Sequence, residues 1–408
     1  MMLLFTGIAC LLFIAYSALI IGYQRVWKAI PTLVPQHPPR TTAIGPDSRH
    51  ATDPAIAPRH LAFPLVSVLI PARNEEAIIL DCLRSLARQS YPKDRFEVIV
   101  LDDHSTDRTA AVVREYAAAG ADGLALRVLS IAEMVLPNGL TAYKKFAIET
   151  GVAAASGELI VTTDADCFFD AHWLSTLAAC YEEKGAKFIA APVRIGIRSH
   201  TLLDIFQTLD FITLQGITGA AVSSRFHSMC NGANLAYSRD AFYEAGGFRG
   251  IDHIPSGDDM LLMHKIWLLY PEKVFFLKNR QAIVSTLPET HWKGFLNQRV
   301  RWASKADSYE DRRIFWVLLL VYVVNALFVA LLAGAVFNAW WLWLFLMLLV
   351  AKTMVEYPFV RSVAAFFGQQ KLMVYFPPLQ PLHIFYTVIV GWLGKFGSYR
   401  WKDRTIKK

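Results

Sequence analysis

The chain has 408 residues, too many for one small core, and 54% of them are hydrophobic. That share exceeds what an ordinary soluble protein carries, so lipid contact is indicated before any motif is read. The formal charge is +7, yet no basic run interleaved with aromatics marks a nucleic-acid groove, and no nucleic-acid partner is expected.

Residues 3–23 form an uncharged apolar stretch, about the length needed to cross ~30 Å of hydrocarbon. Neither a basic segment before it nor a small-residue cleavage site after it suggests a removable leader. Arg25 and Lys28 follow directly, so the stretch reads as an anchor with its N-terminus outside. Residues 28–63 carry seven prolines and no helical or strand period, which predicts a linker. The expected division is an anchor (1–25), a Pro-rich linker (26–63), a cytosolic domain (64–305), and a C-terminal membrane region with a basic tail (306–408).

From Leu65 the texture alternates. Apolar runs at 66–70, 96–101, 126–129 and 159–163 predict strands; helical spacing at 78–89, 106–120 and 144–156 predicts helices between them. This is an α/β pattern with a mostly parallel sheet covered on both faces, and such sheets bind ligands beyond the C-terminal ends of their strands. Residues 202–226 are unusually apolar and suit either a bilayer-docking surface or the core. Three further apolar blocks follow Arg313. Those at 314–337 and 339–355 read as membrane helices, with Lys352 and Glu356 spaced to pair. The third, at 379–393, is short and contains Pro381. If it crossed, the tail bearing Arg400, Lys402, Arg404, Lys407 and Lys408 would lie outside, against the positive-inside bias; either it lies in the interface without crossing, or a neighbouring block is re-entrant. The five cysteines are odd in number and lack C-x-x-C spacing, which argues against a disulfide framework or zinc site.

Polar clusters close three of the strands. Pro71, Ala72, Arg73, Asn74, Glu75 and Glu76 follow the first. Asp102, Asp103, His104, Ser105, Thr106 and Asp107 follow the second. Asp164, Ala165 and Asp166 follow the fourth. Each cluster could merely cap the next helix; their convergence at one sheet edge points to a ligand site. Asp164 and Asp166, two apart after a buried strand, suit a Mg²⁺ or Mn²⁺ ion shared with substrate phosphates.

These residues, in this order, resemble the family 2 glycosyltransferases with their GT-A nucleotide-sugar fold. The resemblance is closest to the membrane-integrated branch that includes cellulose, chitin and hyaluronan synthases and ceramide glucosyltransferase. It implies that Pro71, Arg73 and Glu75 line the nucleotide pocket and that Asp103 binds the base. Lys144 matches the lysine near the donor phosphates, although Tyr143 replaces the usual preceding Gly. Asp164 and Asp166 match the metal motif. Ser256, Gly257, Asp258 and Asp259 match the acidic pair that supplies the catalytic base, here Asp259, with Asp258 toward the acceptor. Gln298, Arg299, Val300, Arg301 and Trp302 match the Gln-x-x-Arg-Trp signature: Arg301 and Gln298 would meet the leaving diphosphate and Trp302 the acceptor. Asn231, Gly232, Ala233 and Asn234 match a further family segment, with Asn234 placed at the acceptor.

The resemblance implies an inverting, metal-dependent transfer from a nucleotide sugar, typically UDP-linked, to a lipid or a growing polysaccharide, in the inner or plasma membrane. An accessory export subunit would suit the polysaccharide case. The rival reading is a non-catalytic nucleotide-binding subunit of an envelope polysaccharide assembly system.

Overall fold

A computed structural model describes residues 2–33, 63–134, 141–254, 257–305, 310–401 and 404–407. Most of the expected Pro-rich linker, Ser256 of the acidic-pair motif, and Lys402 and Lys408 of the tail lie outside the described residues.

Helix α1 (Met2–Ala29) opens the chain. The first βα units are β1 (Val66–Ala72), α2 (Ile79–Ala87), β2 (Phe96–Asp102), α3 (Thr109–Ala118), β3 (Ala125–Ser130), α4 (Tyr143–Ala154) and β4 (Leu159–Thr162). β5 (Phe168–Phe169), α5 (Trp173–Lys184), β6 (Phe188–Ala190), β7 (Val193–Ile195) and α6 (Leu202–Ser223) follow. After them come β8 (Leu235–Ser238), α7 (Arg239–Glu244), α8 (Asp258–Leu269), β9 (Val274–Phe276), β10 (Val284–Thr286) and α9 (Trp292–Ala303). The chain then runs through α10 (Arg312–Gly334), α11 (Ala339–Phe367) and α12 (Phe376–Phe396) to the hairpin β11 (Ser398–Trp401) and β12 (Arg404–Lys407).

Seven strands form the central sheet in the order β3-β2-β1-β4-β8-β6-β9. Its first four strands pair in parallel. β8 runs antiparallel to both β4 and β6, so the sheet is mostly parallel with one reversed strand. β1 is a near-continuous apolar run because both its faces are covered. Leu69 faces the layer containing α4, α6 and α8, while Val68 and Ile70 face α2, α3 and α5. β5, β10 and β7 make a small second sheet.

The apolar 202–226 stretch is core. Helix α6 buries 17 of its 22 residues, and its N-cap Thr201 accepts the Asp204 N–H at 3.1 Å. It packs against β9 on one side and against α1 and α11 on the other. An ideal Cβ at Gly216 would lie 2.4 Å from Val363, and one at Gly219 would lie 2.7 Å from Trp27. These two glycines let the membrane-type helices approach the α6 backbone, and one apolar core thereby runs from the sheet into the helical bundle.

Among the described residues, four segments are long and apolar enough to cross a membrane: α1, α10, α11 and residues 370–396, which contain α12. α11 continues past the expected end at Val355, through Pro358, to Phe367. The charges that seemed to end it are neutralised within the bundle. Lys352 pairs with Glu356 at 2.6 Å, and Tyr16 and Gln380 donate to the same carboxylate.

Candidate active site

The loops after β1 and β2 are laced together. Asn74 adopts φ +55° and its side-chain oxygen accepts the Thr106 N–H at 2.8 Å; Ser105 Oγ accepts the Asn74 N–H at 3.1 Å. Thr109 Oγ1 accepts the Glu75 N–H at 2.8 Å, and Asp107 accepts the Thr109 N–H at 2.9 Å. Several motif residues therefore do cap local backbone, as the plain reading allowed. That lacing leaves Pro71, Arg73, Glu75 and Asp103 lining one cavity. Arg73 donates to the Asp103 carbonyl at 3.2 Å, and His104 Nδ1 lies 2.9 Å from the Asp103 carboxylate.

Asp164 and Asp166 follow β4 and line the same cavity. Thr286, at the end of β10, donates to Asp166 at 3.0 Å. Burial and the neighbouring Asp164 charge push the Asp166 carboxyl up to about 6. Two hard oxygen donors whose charges oppose each other fit a small divalent cation, which relieves that repulsion. Among the described residues no three His, Cys, Asp or Glu side chains converge as a complete ligand set.

Lys144, in the first turn of α4, joins the two halves of the site. Its ammonium lies 2.9 Å from Asp164 and 3.4 Å from Asp258, so the β4 acids and the α8 acids flank a single cation. Burial works against the Lys144 charge, but Asp164 and Asp258 outweigh it and hold its pKa well above the ordinary value. Burial likewise pushes the Asp258 carboxyl up, and Lys144 and Lys305 outweigh it and bring it below the usual range. Asp259 accepts the Gly232 N–H at 3.1 Å and lies 3.9 Å from the Lys305 ammonium. Asp258 and Asp259 also form the first turn of α8, where carboxylates favour the helix dipole.

Arg301, Gln298 and Trp302 on α9 line the cavity from the bundle side. Between them Arg299 is buried. It donates to Asp210 of α6 at 2.8 Å and to Gln298 at 2.7 Å, and its guanidinium lies over the Trp302 ring at 4.2 Å. This contact orients the motif helix against α6.

Asn234 is not in the cavity. It is fully buried, donates to the Pro192 and Ala282 carbonyls at 2.8 Å each, and accepts from Trp173 Nε1 at 3.0 Å. Its amide is used up tying β6, β8 and β10 together, which corrects its expected place at the acceptor. Lys305 and Thr286 were not singled out by the sequence, yet they meet Asp259 and Asp166; Gly232, read within its motif as a place of close backbone approach, donates its N–H to Asp259.

The description "Glycosyl transferase family group 2" matches residues 159–376, more than half of the chain, and "Glycosyl transferase family 2" matches residues 67–245. The chain belongs to the family 2 glycosyltransferases. One relative is the probable glycosyltransferase YdaM of Bacillus subtilis, 31% identical over 247 residues, which are 59% of this chain and 55% of YdaM. Another is the beta-monoglucosyldiacylglycerol synthase of Nostoc sp., 33% identical over 133 residues, or 31% of this chain and 26% of that enzyme. The matched region thus spans about half of YdaM and a smaller share of the synthase. Among solved structures, the mannosyltransferase PcManGT from Pyrobaculum calidifontis, in complex with GDP-Man and Mn²⁺, superposes with TM-score 0.55 at 19% identity. It covers 95% of this chain and 99% of that one, and it establishes the GT-A-like fold of this family 2 member.

Proposed function

We propose that the protein is an inverting glycosyltransferase that moves a sugar from a nucleotide donor, in the first instance a UDP-sugar, to a hydroxyl of a membrane-associated acceptor. The observation that carries this reading is the Lys144 ammonium between Asp164 and Asp258, which brings the donor-side and acceptor-side acids to one centre.

Arg73, Glu75 and Asp103 hold the nucleoside beyond the ends of β1 and β2. Asp166 and Asp164 would hold a divalent cation, which when bound would supply positive charge against the donor diphosphate. Asp259, oriented by the Gly232 N–H, takes the proton of the acceptor hydroxyl. The oxygen attacks the anomeric carbon on the face opposite the diphosphate, the C–O bond to the diphosphate breaks, and the configuration inverts. Lys144 and Arg301 face the developing charge. A carboxylate base suits a hydroxyl, which is a poor nucleophile near neutral pH. A phosphate acceptor is already anionic and would be repelled by these acids. The four apolar helical segments support an integral membrane location, and Arg25 and Lys28 at the end of the first support a cytosolic side for the catalytic domain.

Asp259→Asn should lower transfer about 10²- to 10⁴-fold, the usual worth of a general base, while UDP binding measured by calorimetry persists. Undiminished turnover in that variant would remove Asp259 from the role.

A further inference from the structure

The cavity that holds the acids does not end at the sheet. It has a volume of about 1250 Å³ and continues between α1, α6, α10, α11 and α12 as far as Tyr16, Glu356 and Gln380. Sites for drug-sized ligands span roughly 300–1,000 Å³, so this one has room beside a donor.

We propose that the extension holds the hydrocarbon chain of a hydroxyl-bearing lipid acceptor, which enters sideways between α10 and α12. The inference rests on the reading above, in which Asp259 receives an acceptor hydroxyl, and it assigns that hydroxyl to a lipid rather than to a growing polysaccharide.

The first support is the wall. Ile314, Leu318 and Val321 of α10, Ile20 of α1, Phe359 of α11 and Val390 of α12 line the extension and offer a hydrocarbon chain only apolar contact. The second is the state of its polar groups. Glu356 accepts from Tyr16, Lys352 and Gln380, and Lys352 also donates to Gln380 at 2.9 Å. Arg299 and Asp210 pair in the same way nearer the crevice. These pairs occupy most of their own polar atoms, with Arg299 Nη2 and His383 Nδ1 left over near the crevice. A sugar chain needs a partner for each hydroxyl it buries, and the apolar stretch of the wall supplies few. The third is the opening. Phe315 of α10 and Trp392 and Phe396 of α12 line the cavity and stand 42%, 59% and 67% exposed, so beside the Gly391–Tyr322 contact, where the two helices touch, the cavity reaches an apolar rim. An opening with such a rim admits a lipid from the bilayer plane.

The test uses the full chain reconstituted in dioleoylphosphatidylcholine vesicles. Two probe lipids, a diacylglycerol and a ceramide, each carry a diazirine midway along one acyl chain, and a phosphatidylcholine with the same diazirine reports bulk lipid contact. Photolysis should label peptides covering residues 314–322 and 389–396 about tenfold more with at least one hydroxyl lipid than with the control, a ratio worth about 1.4 kcal/mol. Excess unlabelled lipid should suppress that labelling, and Val321→Trp, which fills the chamber, should reduce it about tenfold. Equal labelling by all three probes overturns the proposal, as does Asp259-dependent synthesis of a polymer on a water-soluble acceptor. The two readings fail separately. Competitive labelling with full turnover in Asp259→Asn removes the base but keeps the lipid site; Asp259-dependent transfer without competitive labelling removes the lipid site but keeps the base.

Discussion

Asn234 and Gly232 stand two residues apart in one motif and do different work. Gly232 lies at the reaction centre: an ideal Cβ there would sit 3.4 Å from the Lys144 ammonium and 3.6 Å from the Asp258 carboxylate. Asn234 faces the other way and completes the hydrogen bonding of three backbone and side-chain groups in the core. Asn234→Ala strands the Trp173 indole N–H and two carbonyls, each costing about 1–3 kcal/mol when left unpaired in the interior. The expected outcome is a thermal midpoint lowered by several degrees, with an unchanged acceptor KM in the protein that stays folded. A raised KM at an unchanged midpoint would return Asn234 to the acceptor. At this scale the meeting of the acids, Lys144 and the α9 residues along one cavity was legible, because their types and spacing at the strand ends point to a shared ligand site. Lys305 and Thr286 were not legible, because their place at the site depends on contacts between segments far apart in the chain.

Among the elements, the parallel βα units were the most legible part of the fold. Their apolar runs are buried on both faces, and the helices between them keep a clear period. The reversed strand β8 and the short strands β5, β6, β7, β9 and β10 were not, since runs of two to four residues carry no period. Glu97 shows how the parallel units are latched. It accepts from Ser67 Oγ of β1 at 2.7 Å, from the Ser156 N–H after α4 at 2.7 Å, and from Arg127 of β3 at 3.1 Å. Burial pushes the Glu97 carboxyl up, but the hydrogen bonds from Ser156 and Ser67 and the Arg127 charge outweigh it, and the net direction is down. A carboxyl depressed in the folded state binds fewer protons than it does in the unfolded chain. Its stabilisation is therefore present above the unfolded value of about 4.3 and is lost as pH falls through the lower folded value. Glu97→Gln should lower the thermal midpoint at pH 7, and the gap to the parent should narrow as the pH drops below about 4. A gap independent of pH would mean that the carboxylate charge contributes nothing.

At the scale of the whole molecule, the unsettled point in the sequence was how the final apolar block sits. The contacts of α12 favour the interfacial placement. α1 and α11 run side by side, with Phe5 against Trp341 at one end and Trp27 against Phe366 at the other, where Trp27 also meets Phe276 of the sheet domain. Glu356 precedes Phe366 by ten residues, about 15 Å from the domain end of α11 at 1.5 Å per residue. Near its start α12 meets this depth, where Gln380 donates to Glu356 at 2.6 Å. Near its end Gly391 abuts Tyr322, ten residues into α10 and again about 15 Å from the domain end. α12 therefore joins two helices at one depth instead of passing through the bundle. It also runs alongside α9, from Tyr386 beside Phe295 to Gly394 against Ala303. With α1, α10 and α11 as the crossing helices, the basic tail returns to the face that carries the catalytic domain, and β11 packs beside α9. This arrangement agrees with the positive-inside bias that a fourth crossing would violate. A cysteine placed at Thr405 should react with a membrane-impermeant maleimide in inside-out vesicles and stay unreacted in right-side-out ones; Cys82, Cys167, Cys180 and Cys230 are buried and give little background. Labelling from the outer face alone would mean that α12 crosses after all. The floor beneath α9 would then be a transmembrane wall, and the lateral opening between α10 and α12 would have to be redrawn.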